Sequence, residues 1–176
     1  LSIMAGITIA NIQAGLNHQS VIRAMPNTPA MLGMGITAYA ASAAVEKNQL
    51  RKVENLINAT GRSVYLEDES QLNAVTALSG SGPAYFFYFV KSMIEAGKAM
   101  GFEESVAALL VQQTMLGSFH LINSADKSLD ELIKAVTSKG GTTEAALKQF
   151  AEHGLEDTVL QGILAAQKRS EELSKS

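Results

Sequence analysis

Ser79-Gly80-Ser81-Gly82-Pro83-Ala84-Tyr85-Phe86-Phe87-Tyr88-Phe89-Val90 decides how the rest of the chain is read. Pro83 stands where a helix tolerates proline, in its first turn, because that N–H has no intrahelical partner. From Ala84 to Met100 the residues read as one long helix, ended by Gly101. Its apolar residues form no stripe, since positions 86 to 90 are consecutive and surround the axis. A helix apolar all round is expected to be covered all round. A helical half of only about 110 residues is too small to do this alone, so a second chain is expected to cover part of it.

Beyond Gly101 the pattern stays helical. Helices are expected over Ser105 to Asn123 and Leu129 to Val136. After the turn at Thr137 to Thr143, a further helix places Ala146, Leu147, Phe150 and Ala151 on one face. Gly154 interrupts it. The last helix, Glu156 to Leu173, is expected to turn Val159, Leu160, Ile163 and Leu164 inward, and Lys168 to Ser176 reads as a solvated charged run.

Upstream, Asp68 or Ser70 can cap a helix over Leu72 to Leu78. Before Glu67-Asp68-Glu69 the periodicity changes. Short strands at Leu1 to Ala5, Ser20 to Met25, Gly35 to Ala41 and Ser63 to Leu66 alternate with helices at Thr8 to Leu16 and Val45 to Ala59. Gly61 is read as the C-cap of the second helix. Such alternation argues for an α/β unit. Pro26-Asn27-Thr28-Pro29 interrupts it, and two prolines this close exclude helix and central strand, leaving a stiff extended loop at a strand's end. The domain boundary is expected near Glu67 to Ser70.

Composition narrows the function classes. The chain has 176 residues, 47% of them hydrophobic, and a formal net charge of -3. No basic surface for nucleic acid is implied. Without cysteine there are no disulfides, no thiolate catalysis and no cysteine-based zinc site. The three histidines, His18, His120 and His153, are scattered, so no metal site is expected and each reads as a surface or satisfied structural residue. Ala84 to Met100, the most apolar run, is too short and too charged at Lys91, Glu95 and Lys98 for a membrane span. With no signal-peptide pattern, a cytoplasmic protein with no membrane partner is the default expectation. The chain opens Leu1-Ser2-Ile3-Met4-Ala5-Gly6, in the middle of an expected strand and without an initiator Met, and so reads as the back of something longer.

The stretch with chemistry in it is Thr137-Ser138-Lys139-Gly140-Gly141-Thr142-Thr143-Glu144-Ala145-Ala146-Leu147. Two glycines let backbone N–H groups approach a ligand closely. A helix starting there aims unpaired N–H groups and a positive dipole end at one point, with hydroxyls beside it. That is an anion seat; the plainer reading of the same residues is a helix cap. Glu144 falls three residues after Gly141, not after either threonine, so no clean capping box is made.

Three motifs in order, Arg23-Ala24-Met25-Pro26-Asn27-Thr28-Pro29, Leu78-Ser79-Gly80-Ser81-Gly82-Pro83-Ala84-Tyr85 and Thr137 to Leu147, resemble the pyrroline-5-carboxylate reductase family. The resemblance runs over essentially the whole chain and over the back two-thirds of that family's usual length. It implies the C-terminal part of a Rossmann-like dinucleotide-binding domain over 1–68. An all-helical dimerisation and substrate domain over 69–176 follows. It implies reduction of 1-pyrroline-5-carboxylate to L-proline with NADPH or NADH, the last step of proline biosynthesis, by a homodimer or a ring of dimers. The family's Gly-x-Gly-x-x-Gly turn has no counterpart here, since Gly33 to Gly35 and Gly80 to Gly82 lack the strand-to-helix context. The fragment alone is therefore expected to be inactive.

By the same resemblance, Gly140, Gly141, Thr142 and Thr143 bind the substrate. The N–H groups of Gly141 and Thr142 would face its carboxylate, and the Thr143 hydroxyl its ring nitrogen. A threonine is a poor general acid, so Thr143 is assigned orientation and hydrogen bonding, with water as a route for the proton. Ala5, Pro26, Asn27 and Pro83 are assigned to the cofactor, around the nicotinamide and ribose. Their plainer readings are a small strand-end residue, a rigid connector and a helix-start proline. Lys139 reads as a solvated loop lysine, and Tyr85 and Tyr88 as packing residues. Two alternatives stay open: a related imine or 3-hydroxyacid dehydrogenase, and a helical dimerisation module without activity.

Overall fold

The computed structural model of the chain describes residues 1–174. By contacts these fall into two compact units, one made of Leu1–Tyr85 with the stretch from Leu160 onward, the other Phe86–Val159. The fold is a short Rossmann-like α/β start followed by helices.

In the first unit, α1 (Ile9–Leu16) is capped by Thr8, whose side chain accepts from Asn11 N–H. Strands β1 (Ile22–Met25) and β2 (Gly35–Ala41) pair antiparallel, with Ala24 opposite Tyr39. Helix α2 (Lys47–Asn58), opened by a capping box between Glu46 and Gln49, leads to β3 (Gly61–Tyr65), which pairs parallel with β2. Alternation along β1 sorts its side chains by face. Val21 and Met25 pack with Ile9, Ala38 and Leu72, while Ile22 and Ala24 pack with Tyr39 and Ile57.

Three local expectations change. Leu1 to Ala5 is not a strand but a single parallel bridge: Ser2 donates to Ile22 O and accepts from Ala24 N–H, both at 2.8 Å, before the chain turns at Gly6. The Pro26–Pro29 stretch is extended only at its start, and a 3-10 turn runs from Thr28 to Leu32 with its proline in the opening positions. There the proline's missing N–H has no helical acceptor to lose. Gly61 is not a C-cap. It begins β3 with φ +145°, and a Cβ on it would collide with the backbone of Gly35. We expect Gly61→Ala to cost about 2 kcal/mol from strain and crowding together. Chemical unfolding checks this, with Gly33→Ala, where φ is +70° but space is open, as the comparison for strain alone.

Asp68 caps a 3-10 turn over Glu69–Gln71, and hydrogen bonds from the Ser70 hydroxyl and N–H hold its carboxyl below its ordinary value. Helix α3 (Leu72–Val75) passes into a π turn over Thr76–Gly80, closed by Ser81 N–H to Thr76 O at 2.8 Å. After Ser81, helix α4 (Gly82–Ala99) begins, so the Gly-rich stretch carries the chain from the π turn into a helix.

In the second unit, α4 ends at Ala99, the chain turns at Gly101 (φ +95°), and α5 (Glu104–Ser124) lies close against α4. A Cβ on Gly97 would come within 2.8 Å of Ala107 Cβ. Short α6 (Leu129–Ala135) and then α7 (Thr142–Glu152) follow. Helix α8 (Leu155–Leu173) starts after Gly154. The all-round burial expected of α4 is absent within one chain: Phe86, Phe87 and Tyr88 are 59, 68 and 72% exposed. Val159, Leu160 and Leu164, expected inward on α8, are also exposed. Helix α5 is long and apolar enough, by length and composition alone, to cross a membrane, and only 11% of its apolar window is buried.

The charged tail is not wholly solvated. Ser170 is buried, and Ser170 and Ser174 both donate to Asn73 Oδ1, at 2.9 and 3.0 Å. Lys175 and Ser176, the end of that run, lie outside the described residues.

Candidate active site

Two groups of residues hold the candidate chemistry, and each is built within its own unit. In the second unit, Gly140 takes φ +72°, a conformation that favours glycine, and turns the chain into α7. The cap residue is Gly141, with no side-chain cap bond. Thr142 and Thr143 are therefore the first two residues of the helix, and neither is its cap.

Hydrogen-bond bookkeeping identifies the donors that remain. Gly140 N–H donates to Glu144 Oε2 at 2.7 Å, and Gly141 N–H donates to Ser138 O at 3.0 Å. The first intrahelical bond is Ala145 N–H to Gly141 O. Thr142, Thr143 and Glu144 N–H have no partner among the described residues, as a helix start requires. The hydroxyls of Ser138, Thr142 and Thr143 are likewise unspent among the described residues, whereas Thr137 Oγ1 donates to Ile133 O. Of the expected Gly141 and Thr142 donor pair, Gly141 N–H is used within the turn, while Thr142 N–H, like Thr143 N–H, is unspent among the described residues. Lys139 is exposed and in no ion pair among the described residues.

In the first unit, β1 delivers Pro26 and Asn27 at its carboxyl end, where open α/β sheets bind ligands. Asn27 Oδ1 accepts from Ile36 N–H at 3.0 Å, which pins the loop to β2 and leaves its amide nitrogen as a donor. Met25, just before them, reaches the π turn: its Sδ lies 3.6 Å from where a Gly80 Cβ would stand. The turn is braced by Tyr85, whose hydroxyl donates to Ala77 O at 3.0 Å, and Pro83 follows, half-buried, as the second residue of α4. Ala5 is exposed at the turn before Gly6. A Cβ on Gly6, which takes φ +74°, would stand 3.2 Å from Leu173 O.

Sequence reasoning singled out no partner for Arg23. Its side chain is 3% exposed, and its Nη1 donates to Glu69 Oε1 at 2.8 Å, the same oxygen that accepts from Ile9 N–H at 2.8 Å. Arg23 Nη2 is buried without a hydrogen-bond partner among the described residues. A cleft of about 550 Å³ opens beside this pair, lined by Thr8, Asn73, Gln167 and Glu171 among others. The available signal was a lone charge inside Val21-Ile22-Arg23-Ala24-Met25, an otherwise apolar strand.

The fit to a nicotinamide cofactor is partial. The Asn27 amide nitrogen, at the carboxyl end of β1, is a donor of the kind a carboxamide or ribose oxygen accepts. Gly33-Met34-Gly35 leads from a 3-10 turn into β2, so among the described residues no glycine turn stands between a strand and a helix to hold a pyrophosphate.

The family model for pyrroline-5-carboxylate reductase dimerisation matches residues 69–173. The pyrroline-5-carboxylate reductase of Pseudomonas aeruginosa is 43% identical over 99% of this chain, which spans 64% of that protein's length. The Synechocystis reductase is 38% identical over 99% of the chain and 65% of its own length. Among solved structures, the Plasmodium falciparum pyrroline carboxylate reductase with NADP bound superposes with a TM-score of 0.93 at 28% identity, covering 98% of this chain and 66% of that one. The Coxiella burnetii pyrroline-5-carboxylate reductase gives 0.89 at 36% identity, covering 98% and 64%.

Proposed function

This chain belongs to the pyrroline-5-carboxylate reductase family, and we propose that it forms the dimerisation and substrate-binding part of an enzyme reducing 1-pyrroline-5-carboxylate to L-proline with NADPH or NADH. The observation that carries the reading is the start of α7, where two threonines leave both their N–H groups and their hydroxyls unspent among the described residues. In this reading 1–68 is the closing part of the dinucleotide-binding domain and 69–176 the helical domain. The protein is a soluble cytoplasmic homodimer or ring of dimers that makes the last step of proline biosynthesis.

The substrate is a small carboxylate with an imine nitrogen. Thr142 and Thr143 N–H groups, at the positive end of α7, hold its carboxylate without adding a charge of their own. Gly140 and Gly141 shape the turn that presents these donors. The Thr143 hydroxyl bonds the ring nitrogen and orients the imine carbon, with water carrying the proton. Pro26, Asn27, Ala5 and Pro83 bound the nicotinamide side, and Asn27's free amide hydrogen bonds there. The reduced nicotinamide supplies the hydride when bound. These residues alone offer no pyrophosphate seat, so the 176-residue chain by itself is expected to turn nothing over.

The test is the intact protein with pyrroline-5-carboxylate and reduced cofactor, following cofactor oxidation. We expect Thr143→Val to lower kcat roughly a hundredfold with a smaller change in KM, and Thr143→Ser to keep most of the activity. Wild-type protein without turnover above background would remove the reading. Turnover untouched in Thr143→Val would remove the role of that hydroxyl.

A further inference from the structure

The Glu144 side chain is exposed, and its carboxylate folds back onto the turn before its own helix. Its Oε2 accepts from Gly140 N–H at 2.7 Å, folding the side chain back over the first turn of α7 and securing the left-handed turn at Gly140. A negative charge is therefore resident in the turn whose Thr142 and Thr143 N–H groups are free. We propose that Glu144 is a specificity-determining residue of the carboxylate seat, favouring ligands that carry a cationic nitrogen beside their carboxylate over simple anions of the same shape. The inference rests on the reading of α7's start as that seat.

The argument is one of net charge. A simple carboxylate brings a second negative charge beside the first and meets the full repulsion. A zwitterion brings no net charge, and only the difference between its two ends is felt. Proline and the protonated imine are both of the second kind. Lys139, the nearest cation in sequence, makes no ion pair with Glu144 among the described residues; both side chains are exposed, so added salt screens the effect of each. Lys148 pairs with Glu152 at 3.8 Å, further along α7. A glutamate serving only as a tether would leave this preference unaffected by loss of its charge. Glu144→Gln separates the two roles, because the amide oxygen still accepts from Gly140 N–H.

The experiment is calorimetric titration of the intact protein at low salt with proline and with cyclopentanecarboxylate, which keeps the ring and carboxylate but has no nitrogen. Glu144→Gln is expected to tighten cyclopentanecarboxylate roughly threefold to tenfold and proline by less than about twofold, with the gain shrinking as salt is raised. Equal factors for the two ligands, or no change for either, overturn the inference while leaving the seat in place. If neither ligand binds the wild type, the seat reading falls and this one with it. Amide hydrogen exchange at Gly140 checks the tether without any ligand. It should be protected in wild type and Glu144→Gln and lose protection in Glu144→Ala; protection retained in Glu144→Ala overturns the geometry on which the inference stands.

Discussion

Replacing Glu69 with leucine is expected to lower the unfolding free energy by about 3 kcal/mol, because it strands a buried cation. One carboxylate oxygen of Glu69 serves both Arg23 Nη1 and Ile9 N–H. Its removal leaves the guanidinium, 3% exposed at the side chain, with no acidic partner among the described residues. It also orphans the first N–H of α1, a further cost of about 1 kcal/mol unless water reaches it. Glu69 itself is 27% exposed, which moderates the desolvation it suffers and keeps the estimate toward the lower end for a broken buried pair. The double variant Arg23→Met with Glu69→Leu removes the charge as well, and should recover most of the loss, since apolar residues of similar volume often replace a buried pair at little cost. Urea unfolding of the three proteins measures this. A single variant within about 1 kcal/mol of wild type, or a double variant worse than the single, would contradict the account. Arg23 lies three residues before Pro26, so loss of the pair should also disturb the loop that starts at Pro26.

The elements were legible where a single physical signal dominated. Gly35 to Ala41 and the long helix after Pro83 follow from β-rich composition and from proline placement, and both are found within a residue or two of expectation. Several of the misread positions are settled by long-range contacts. Gly61 reads as a cap because it follows a helix, yet its glycine is required by the backbone of Gly35 across the sheet. Ser2 reads as part of a strand, but only the bridge to Arg23 is made. Ser170 sits in a charged tail and is nonetheless buried through Asn73, nearly a hundred positions away in sequence. The π turn at Thr76–Gly80 left no sequence signal beyond two glycines, since its defining bond differs from a helical one by a single residue of register. At the candidate site, the motif marked the right turn but not how its donors are spent. That Gly141 N–H is used by Ser138, and Gly140 N–H by Glu144, depends on φ values that no spacing reveals.

Placing aspartates at Phe87 and Phe119 together is expected to convert the protein from a dimer or larger assembly to a monomer. The two phenylalanines stand 68 and 55% exposed on α4 and α5 of the single chain, among neighbours that are also exposed. A chain whose longest helices keep so much apolar surface uncovered has not finished burying its core. Each phenylalanine taken out of water by a partner contributes about 1.5–3 kcal/mol, and a twofold-symmetric interface counts every such side chain twice. An aspartate in the same place forfeits that and adds an unpaired charge to be desolvated, costing several kcal/mol more. Light scattering on the intact protein and on the double variant decides the matter. A monomeric wild type would refute the assembly, and a double variant that stays dimeric would place the interface on other faces. Helix α5 also meets the length and composition of a membrane span, and the two explanations part on one observation. If a second chain covers α5, the wild type stays in the supernatant when sedimented with liposomes, and the double variant, having lost its partner, is the one left with exposed apolar surface.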